Sequence, residues 1–132
     1  MAGAQTLPAR DTYVESRAPL MKSRWEKRLG RPLEIQTEYL VLGPDGKRYH
    51  ADIVLQDPSN GVPLVVFEVK SPGKTAQQTE SNLRRILDSQ RYFESWGGKR
   101  PKVVLLVPGS EKGEAARIKR ALNARGVQVE VV

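Results

Sequence analysis

Two runs near the middle of the chain, residues 49–56 and 62–70, are almost wholly apolar apart from a few polar positions. Because successive side chains of a strand point to opposite faces, each run predicts a β-strand with one apolar face. The residues assigned to that core face are Ala51, Ile53 and Leu55 in the first strand, and Val65, Phe67 and Val69 in the second. Turn-forming residues between the runs predict a hairpin, and therefore antiparallel pairing.

The other face of this hairpin carries three ionisable groups, Asp52, Glu68 and Lys70. If Gln56 pairs with Leu64, Asp52 lies directly opposite Glu68, with Cβ atoms about 4.5–5.5 Å apart as in any cross-strand pair. Two carboxylates at that separation repel each other, so they need a shared proton, a neighbouring cation or a bound divalent metal. Lys70 lies about 6.6 Å along the strand from Glu68, which is too far for a simple ion pair.

The remaining pattern predicts one domain over residues 11–132, preceded by a flexible arm over residues 1–10. A helical stripe covers residues 11–29 and ends before Gly30, and a strand over residues 33–42 leads into the hairpin. The elements expected after the hairpin are a helix from residue 75 to Gly97, a buried strand over 102–107, a helix over 110–125 and a strand over 127–132. The predicted order is αβββαβαβ, an α/β three-layer sandwich with a central mixed β-sheet flanked by helices.

Charge and composition favour a polyanion-binding protein, although a basic surface that only aids solubility has the same charge. The net charge is +7, yet residues 51–70 hold three acidic side chains and one basic side chain. A basic surface attracts phosphates, and a metal would join the carboxylates to phosphate. The lack of cysteine excludes a disulfide framework, and no apolar run is long enough to span a membrane. We therefore expect a cytoplasmic protein with no membrane partner.

Asp52, fifteen intervening residues and then Glu68-Val69-Lys70 form a motif that resembles the signature of the PD-(D/E)xK nuclease superfamily. Ala51 stands where the name of the motif has proline, a position that varies in such enzymes. The strand that ends in this motif looks most like the N-terminal nuclease domains of type I restriction subunits. The small size of the chain is similar to that of archaeal Holliday junction resolvases. The resemblance implies a restriction-endonuclease-like fold, in agreement with the predicted element order.

The same resemblance implies a metal-dependent phosphodiesterase. Asp52, Glu68 and the backbone carbonyl of Val69 would bind Mg²⁺, with Mn²⁺ as a substitute. The metal would polarise the scissile phosphate, and Lys70 would position the attacking water or offset charge in the transition state.

Related nucleases often recruit further residues from their helices, and this chain offers three candidates. Gln90 lies on the apolar stripe of the predicted second helix and is a candidate catalytic residue, although the chain has Gln90-Arg91-Tyr92 rather than Gln-x-x-x-Tyr. Glu15 and Glu26 on the first helix are candidate metal ligands, with Glu15 as the first choice. The alternatives are a glutamine at a helix edge and exposed glutamates in salt bridges.

Lys74 and His50 are candidate contacts for nucleic acid. His50 shares the face of Asp52 by strand alternation, although a lone histidine beside a turn is also typical of plain surface. Gly73-Lys74-Thr75 resembles the end of a phosphate-binding Walker loop, but the glycine required five residues before Gly73 is replaced by Glu68. A side chain there blocks close backbone approach to phosphate, so a P-loop hydrolase is disfavoured and Lys74 is better explained as a phosphate contact.

The predicted function is a Mg²⁺-dependent nuclease, with DNA as the expected partner and endonucleolytic cleavage as the expected reaction. Since one site cuts one strand, we expect a homodimer or a subunit of a larger nuclease complex. Part of the apolar surface of residues 103–107, Tyr92, Phe93 and Trp96 would form the dimer contact. Two alternatives stay open: a catalytically silent DNA-binding or assembly module of the same fold, and a nuclease specific for junctions or RNA.

Overall fold

The computed structural model describes residues 12–43, 45–122 and 126–132, without the side chain of Trp96. The elements in chain order are α1 (Thr12–Leu29), β1 (Glu34–Leu42), β2 (Arg48–Gln56), β3 (Pro63–Val69), α2 (Ala76–Asp88), α3 (Gln90–Gly97), β4 (Lys102–Val107), a 3₁₀ turn (Gly109–Glu111), α4 (Lys112–Ala121) and β5 (Val127–Val131). This is the predicted order, except that the second predicted helix is divided in two. The predicted arm, residues 1–10, lies outside the described residues. Among those that are described, no helix is long and apolar enough to cross a membrane.

Five strands form one mixed sheet in the order β1-β2-β3-β4-β5. β1, β2 and β3 pair in antiparallel fashion, whereas β3, β4 and β5 pair in parallel. Parallel neighbours need a crossover connection, which α2 and α3 provide between β3 and β4, and α4 provides between β4 and β5. The predicted α/β class and mixed sheet are therefore confirmed.

The register of the β2–β3 hairpin differs from the expected one beside its turn. Gln56 pairs with Pro63 instead of Leu64, because the register shifts just before Gln56. A shift of this kind takes up an extra residue next to a turn without disturbing the rest of the ladder. Further along the hairpin, Ile53 pairs with Phe67, which is the alignment that the sequence predicted.

Helices cover both faces of the sheet, as a three-layer sandwich requires. On one face, the ring of Trp25 in α1 lies edge-on to Phe67 of β3. On the other face, Leu83 of α2 packs in one cluster with Val54 of β2 and Val66 of β3. Strand alternation predicted only the first of these faces as core. The second is equally buried because α2 and α4 lie over it, and each such side chain contributes about 1.5–3 kcal/mol when fully buried.

The long helix predicted after the hairpin is broken at Ser89 into α2 and α3. The hydroxyl of Ser89 donates to the carbonyl of Arg85 at 2.7 Å and lies 2.6 Å from the hydroxyl of Tyr49 in β2. A serine that bonds to the preceding turn competes with regular helix geometry, and the contact with Tyr49 fixes the break against the sheet. The prediction of one continuous helix is therefore wrong.

The apolar residues that were predicted to form a dimer contact belong mostly to the core. Residues 103–107 lie in β4 between two neighbouring strands and are buried, and Phe93 of α3 is only 1% exposed. Tyr92 is half-buried with its ring edge-on to Phe93, and the side chain of Trp96 is not among those described. This surface therefore gives no basis for a homodimer.

Candidate active site

The carboxylates of Asp52 and Glu68 lie side by side on the sheet face covered by α2. The pairing of β2 with β3 ends at Ile53 and Phe67, and Asp52 and Glu68 are the next residues along the two strands. One ammonium group, that of Lys74, lies within hydrogen-bond distance of both carboxylates. As predicted, the two acidic residues share a face. The cation that contacts both of them, Lys74, comes from outside the two strands.

Lys74 bridges the two carboxylates from the loop that joins β3 to α2. Its Nζ lies 2.9 Å from Asp52 Oδ2 and 2.8 Å from Glu68 Oε2. The same Asp52 oxygen accepts the backbone N–H of Val69 at 2.8 Å, and the same Glu68 oxygen accepts the side-chain amide of Asn82 at 3.0 Å. One oxygen of each carboxylate is therefore held by a cation and a further donor, which is the usual condition for keeping such a pair inside a protein.

Glu68 is more deeply buried than Asp52: its side chain is 0% exposed, against 22% for Asp52. The second oxygen of Glu68, Oε1, is buried and has no hydrogen-bond partner among the residues that the structure describes. Burial, followed by the negative charge of Asp52, raises the pKa of Glu68 to about 8, while the contacts with Lys74 and Asn82 act in the opposite direction. A carboxylate with an unsatisfied buried oxygen is costly, so its environment favours either a proton or another cation at that oxygen.

The raised pKa of Glu68 predicts how metal-free stability changes with pH. Because the folded protein keeps a proton that the unfolded chain releases above its ordinary pKa of 4.5, the free energy of unfolding should fall as pH rises from about 4.5 to about 8. The raised pKa of Lys74 acts only above its ordinary value of 10.5, outside this window. Urea unfolding in EDTA across this range should show the decline, and Glu68→Gln should flatten it. An equal decline in the variant would contradict this assignment.

Lys70 has an ion-pair partner, Glu111, that the sequence pattern did not predict. Its Nζ lies 2.8 Å from Glu111 Oε1, and its side chain is only 5% exposed. Glu111 directly precedes α4, a helix that packs with α2 on the same side of the sheet. Lys70 is thus held at the carboxyl end of β3 by an ion pair of its own, and Lys74 is the lysine that contacts the carboxylates.

The roles considered for Gln90 and Glu26 stay predictions. Gln90 begins α3, after the break at Ser89, and the amide that reaches Glu68 comes from Asn82. Glu26 accepts the backbone N–H of Leu33 at 2.8 Å, so it stabilises the turn that follows α1.

Glu15 and His50 stay predictions. Glu15 is exposed in the first turn of α1, and His50 is exposed on β2. Within the described residues, no histidine and no other acidic side chain joins Asp52 and Glu68 to form a metal-binding group of three.

The sequence pattern did not predict that Asn82 contacts Glu68 or that Lys74 contacts both carboxylates. Asn82 lies one turn after Thr79 and one turn before Ile86, so it borders the buried stripe of α2. A polar side chain at that position needs a partner, and this signal could have indicated Asn82. Lys74 carried no comparable signal, because the course of the loop over the sheet depends on how α2 packs.

The donor set of this site fits a hard divalent cation. Mg²⁺ prefers carboxylate oxygens, keeps several waters and is held in many proteins by only one or two carboxylates. Asp52 and Glu68 supply two, and the buried Oε1 of Glu68 is an acceptor that no described group of the protein satisfies. Val69 contributes its N–H to Asp52, and the predicted role of its carbonyl stays a prediction.

A cleft of about 920 Å³ opens next to the carboxylate pair. Lys74 and Asn82 belong both to its lining and to the contacts of Glu68. Asp52 and Glu68 do not themselves line the cleft, which therefore reaches the carboxylate pair only as far as Lys74 and Asn82.

Comparison with known proteins leaves this geometry as the main guide to function. No protein-family model, curated protein or solved structure matches the chain. The functional assignment therefore depends on the residues and contacts described above.

Proposed function

We propose that this protein is a Mg²⁺-dependent nuclease of the PD-(D/E)xK type, with a restriction-endonuclease-like fold and DNA as substrate. The observation that carries the proposal is the buried Glu68 carboxylate, which shares Lys74 with Asp52 and keeps one oxygen without a partner among the described residues. The motif Glu68-Val69-Lys70 at the end of β3, the adjoining cleft and the net charge of +7 support it. A basic protein that maintains a buried acidic pair at a solvent-accessible cleft is suited to binding phosphate through a metal.

Each residue of the site has its own role in the proposed phosphodiester hydrolysis. Asp52 and Glu68 would hold Mg²⁺, which supplies charge stabilisation at the phosphate and lowers the pKa of an attacking water. Asn82 orients Glu68 by its amide, and the Val69 N–H orients Asp52. Such contacts around the ligands fix the direction of their oxygens, as outer partners do in other metal sites.

Lys70 is the candidate for stabilising charge in the transition state, and Glu111 positions it. Lys70→Ala should lower the cleavage rate by about 10²-fold or more, since one well-placed donor to the transition state contributes that much. Glu111→Gln keeps a hydrogen-bond acceptor beside Lys70 and should cost much less. Rates with saturating Mg²⁺ test this, and a Lys70→Ala variant that cleaves as fast as wild type would exclude the catalytic role.

The experiment that tests the proposed function is a cleavage panel. Supercoiled, linear, single-stranded and four-way-junction DNA, together with RNA, are incubated with the protein in Mg²⁺, in Mn²⁺ or in EDTA. Cleavage in either metal that EDTA abolishes supports the proposal and identifies the substrate class. The absence of cleavage in every arm would overturn it.

A second candidate function is a nucleic-acid-binding or assembly module without catalysis. The observation that favours it is the bridge from Lys74, which neutralises part of the acidic pair without a metal. Under this alternative the ion pairs are permanent and divalent cations do not change the affinity for DNA. Titration of Mn²⁺ into the protein separates the two functions, because only the nuclease requires the ion to bind.

A further inference from the structure

One side of α2 forms a polar stripe that the core does not use. Gln78, Ser81, Asn82 and Arg85 follow one another at helical spacing, so they share one side of the helix. All four line the cleft beside the carboxylate pair. The residues of α2 that pack in the core occupy the neighbouring side of the helix, namely Thr79, Leu83, Ile86 and Leu87. The helix therefore presents a continuous row of hydrogen-bonding groups to the cleft.

The other wall of the cleft contains an aromatic ring. Tyr13 lies in the first turn of α1 and lines the cleft, and the guanidinium of Arg17 lies over its ring at 4.8 Å from the centroid. Lys74 also lines the cleft, from the loop that joins β3 to α2. The cleft thus combines one aromatic ring, a row of amide and hydroxyl groups, and two cationic side chains, those of Lys74 and Arg85.

This combination suits unpaired nucleotides better than a duplex. Proteins that bind single strands stack bases on aromatic rings and track the phosphates with a few cations. Amide and hydroxyl groups can bond to base edges, which are accessible only when the bases are unpaired or when a helix enters a groove. In this protein the polar groups line a concave cleft, whereas readout of a duplex needs an element that projects into the groove.

The size of the cleft points in the same direction. Its volume of about 920 Å³ is within the roughly 300–1,000 Å³ of sites that enclose a small ligand. Such a space holds a short stretch of one strand. The major groove of B-DNA alone is about 12 Å wide, so a duplex could lie only across the mouth of this cleft.

We infer that the cleft between α1 and α2 binds an unpaired strand of nucleic acid, with a base against Tyr13 and phosphates near Lys74 and Arg85. This inference rests on the proposed nuclease function and specifies its substrate class: single-stranded nucleic acid, either free or at a loop, flap or fork. The strand lies next to the carboxylate pair, since Lys74 and Asn82 connect the two.

The test is a binding measurement in EDTA, so that cleavage does not enter. Fluorescence anisotropy compares a labelled DNA single strand of mixed sequence, its RNA counterpart and the matched DNA duplex. At equal salt, one of the single strands should bind about tenfold more tightly than the duplex. Tyr13→Leu should weaken single-strand binding about fivefold or more, which is the low end of the loss for one stacked base, whereas Tyr13→Phe should bind like wild type.

A matched pair of arginine variants separates the cleft from the general surface. Arg85→Ala should weaken single-strand binding about fivefold and reduce the salt slope by about 0.7, as expected for one lost phosphate contact. Arg84 is the next residue, is exposed and pairs with Glu80 outside the cleft. Arg84→Ala removes the same charge and should change the affinity by less than about twofold.

The outcomes distinguish the inference from the proposed function. Duplex binding as tight as single-strand binding, or equal losses in Arg84→Ala and Arg85→Ala, would overturn the inference, while metal-dependent cleavage of duplex DNA would leave the nuclease proposal intact. Single-strand binding that depends on Tyr13 and Arg85, together with no cleavage in any metal, would support the inference and overturn the nuclease proposal.

Discussion

Asp52→Asn and Glu68→Gln should each abolish metal-dependent cleavage while leaving metal-free binding of nucleic acid unchanged or tighter. Both substitutions keep the shape of the side chain and remove a charge that the metal needs. The expected loss is at least about 10³-fold, since metal stabilisation of the transition state amounts to several kcal/mol and each 1.4 kcal/mol is a factor of ten. Binding should not weaken, because Asp52→Asn removes a negative charge from a basic protein and Glu68→Gln replaces a carboxyl group that is largely protonated below about pH 8.

The measurement is paired: cleavage in Mg²⁺ beside salt-dependent binding in EDTA, for wild type and both variants. Glu80→Gln is the matched control, because Glu80 lies on α2 and forms an exposed ion pair with Arg84. It removes the same charge outside the site and should cleave at the wild-type rate. Variants of Asp52 and Glu68 that also cleaved at that rate would remove the catalytic assignment from this pair.

Lys74→Met should destabilise the metal-free protein near pH 8 and restore its stability when a divalent cation is added. The substitution keeps most of the length of the side chain but leaves two carboxylates facing each other. Removing one partner from a buried ion pair costs about 3–5 kcal/mol, and we expect about 2–3 kcal/mol because Lys74 and Asp52 keep some exposure, 17% and 22%. At pH 5 the cost should shrink, because Glu68 is then protonated in wild type as well and the variant loses only the contact between Lys74 and Asp52.

The same variant should bind Mn²⁺ more tightly than wild type, because the ion no longer competes with an ammonium for Asp52 Oδ2 and Glu68 Oε2. Thermal unfolding with and without Mn²⁺ at pH 5 and pH 8 measures both effects. Lys47→Met, which changes an exposed lysine in the β1–β2 turn, serves as the control and should respond to neither. A Lys74→Met protein that is destabilised equally at both pH values, and that gains nothing from Mn²⁺, would contradict the account.

Local periodicity was sufficient to predict the arrangement of Asp52 and Glu68. Strand alternation fixes which side chains share a face, and turn residues between two strands fix their antiparallel direction. The register shift at Gln56 did not disturb this result because it lies beside the turn, beyond the part of the ladder that aligns the carboxylates. The mixed sheet followed from the helices that separate the later strands.

Tertiary packing decided what the sequence pattern left open. Lys74 reaches the carboxylates only because α2 lies across β3, and Asn82 reaches Glu68 for the same reason. The break at Ser89 depends on Tyr49 of β2, which is distant in sequence. Interactions of this kind join elements far apart in the chain, so neither helical nor strand periodicity contains them.

The most direct test of the account is calorimetric titration of Mn²⁺ into wild type, Asp52→Asn and Glu68→Gln at pH 8, without nucleic acid. We expect saturable binding to wild type that each substitution removes, because the paired carboxylates and the unsatisfied Oε1 of Glu68 form the site. Wild-type protein that binds no divalent cation, or variants that bind it as tightly as wild type, would contradict the claim that this acidic pair is a metal centre.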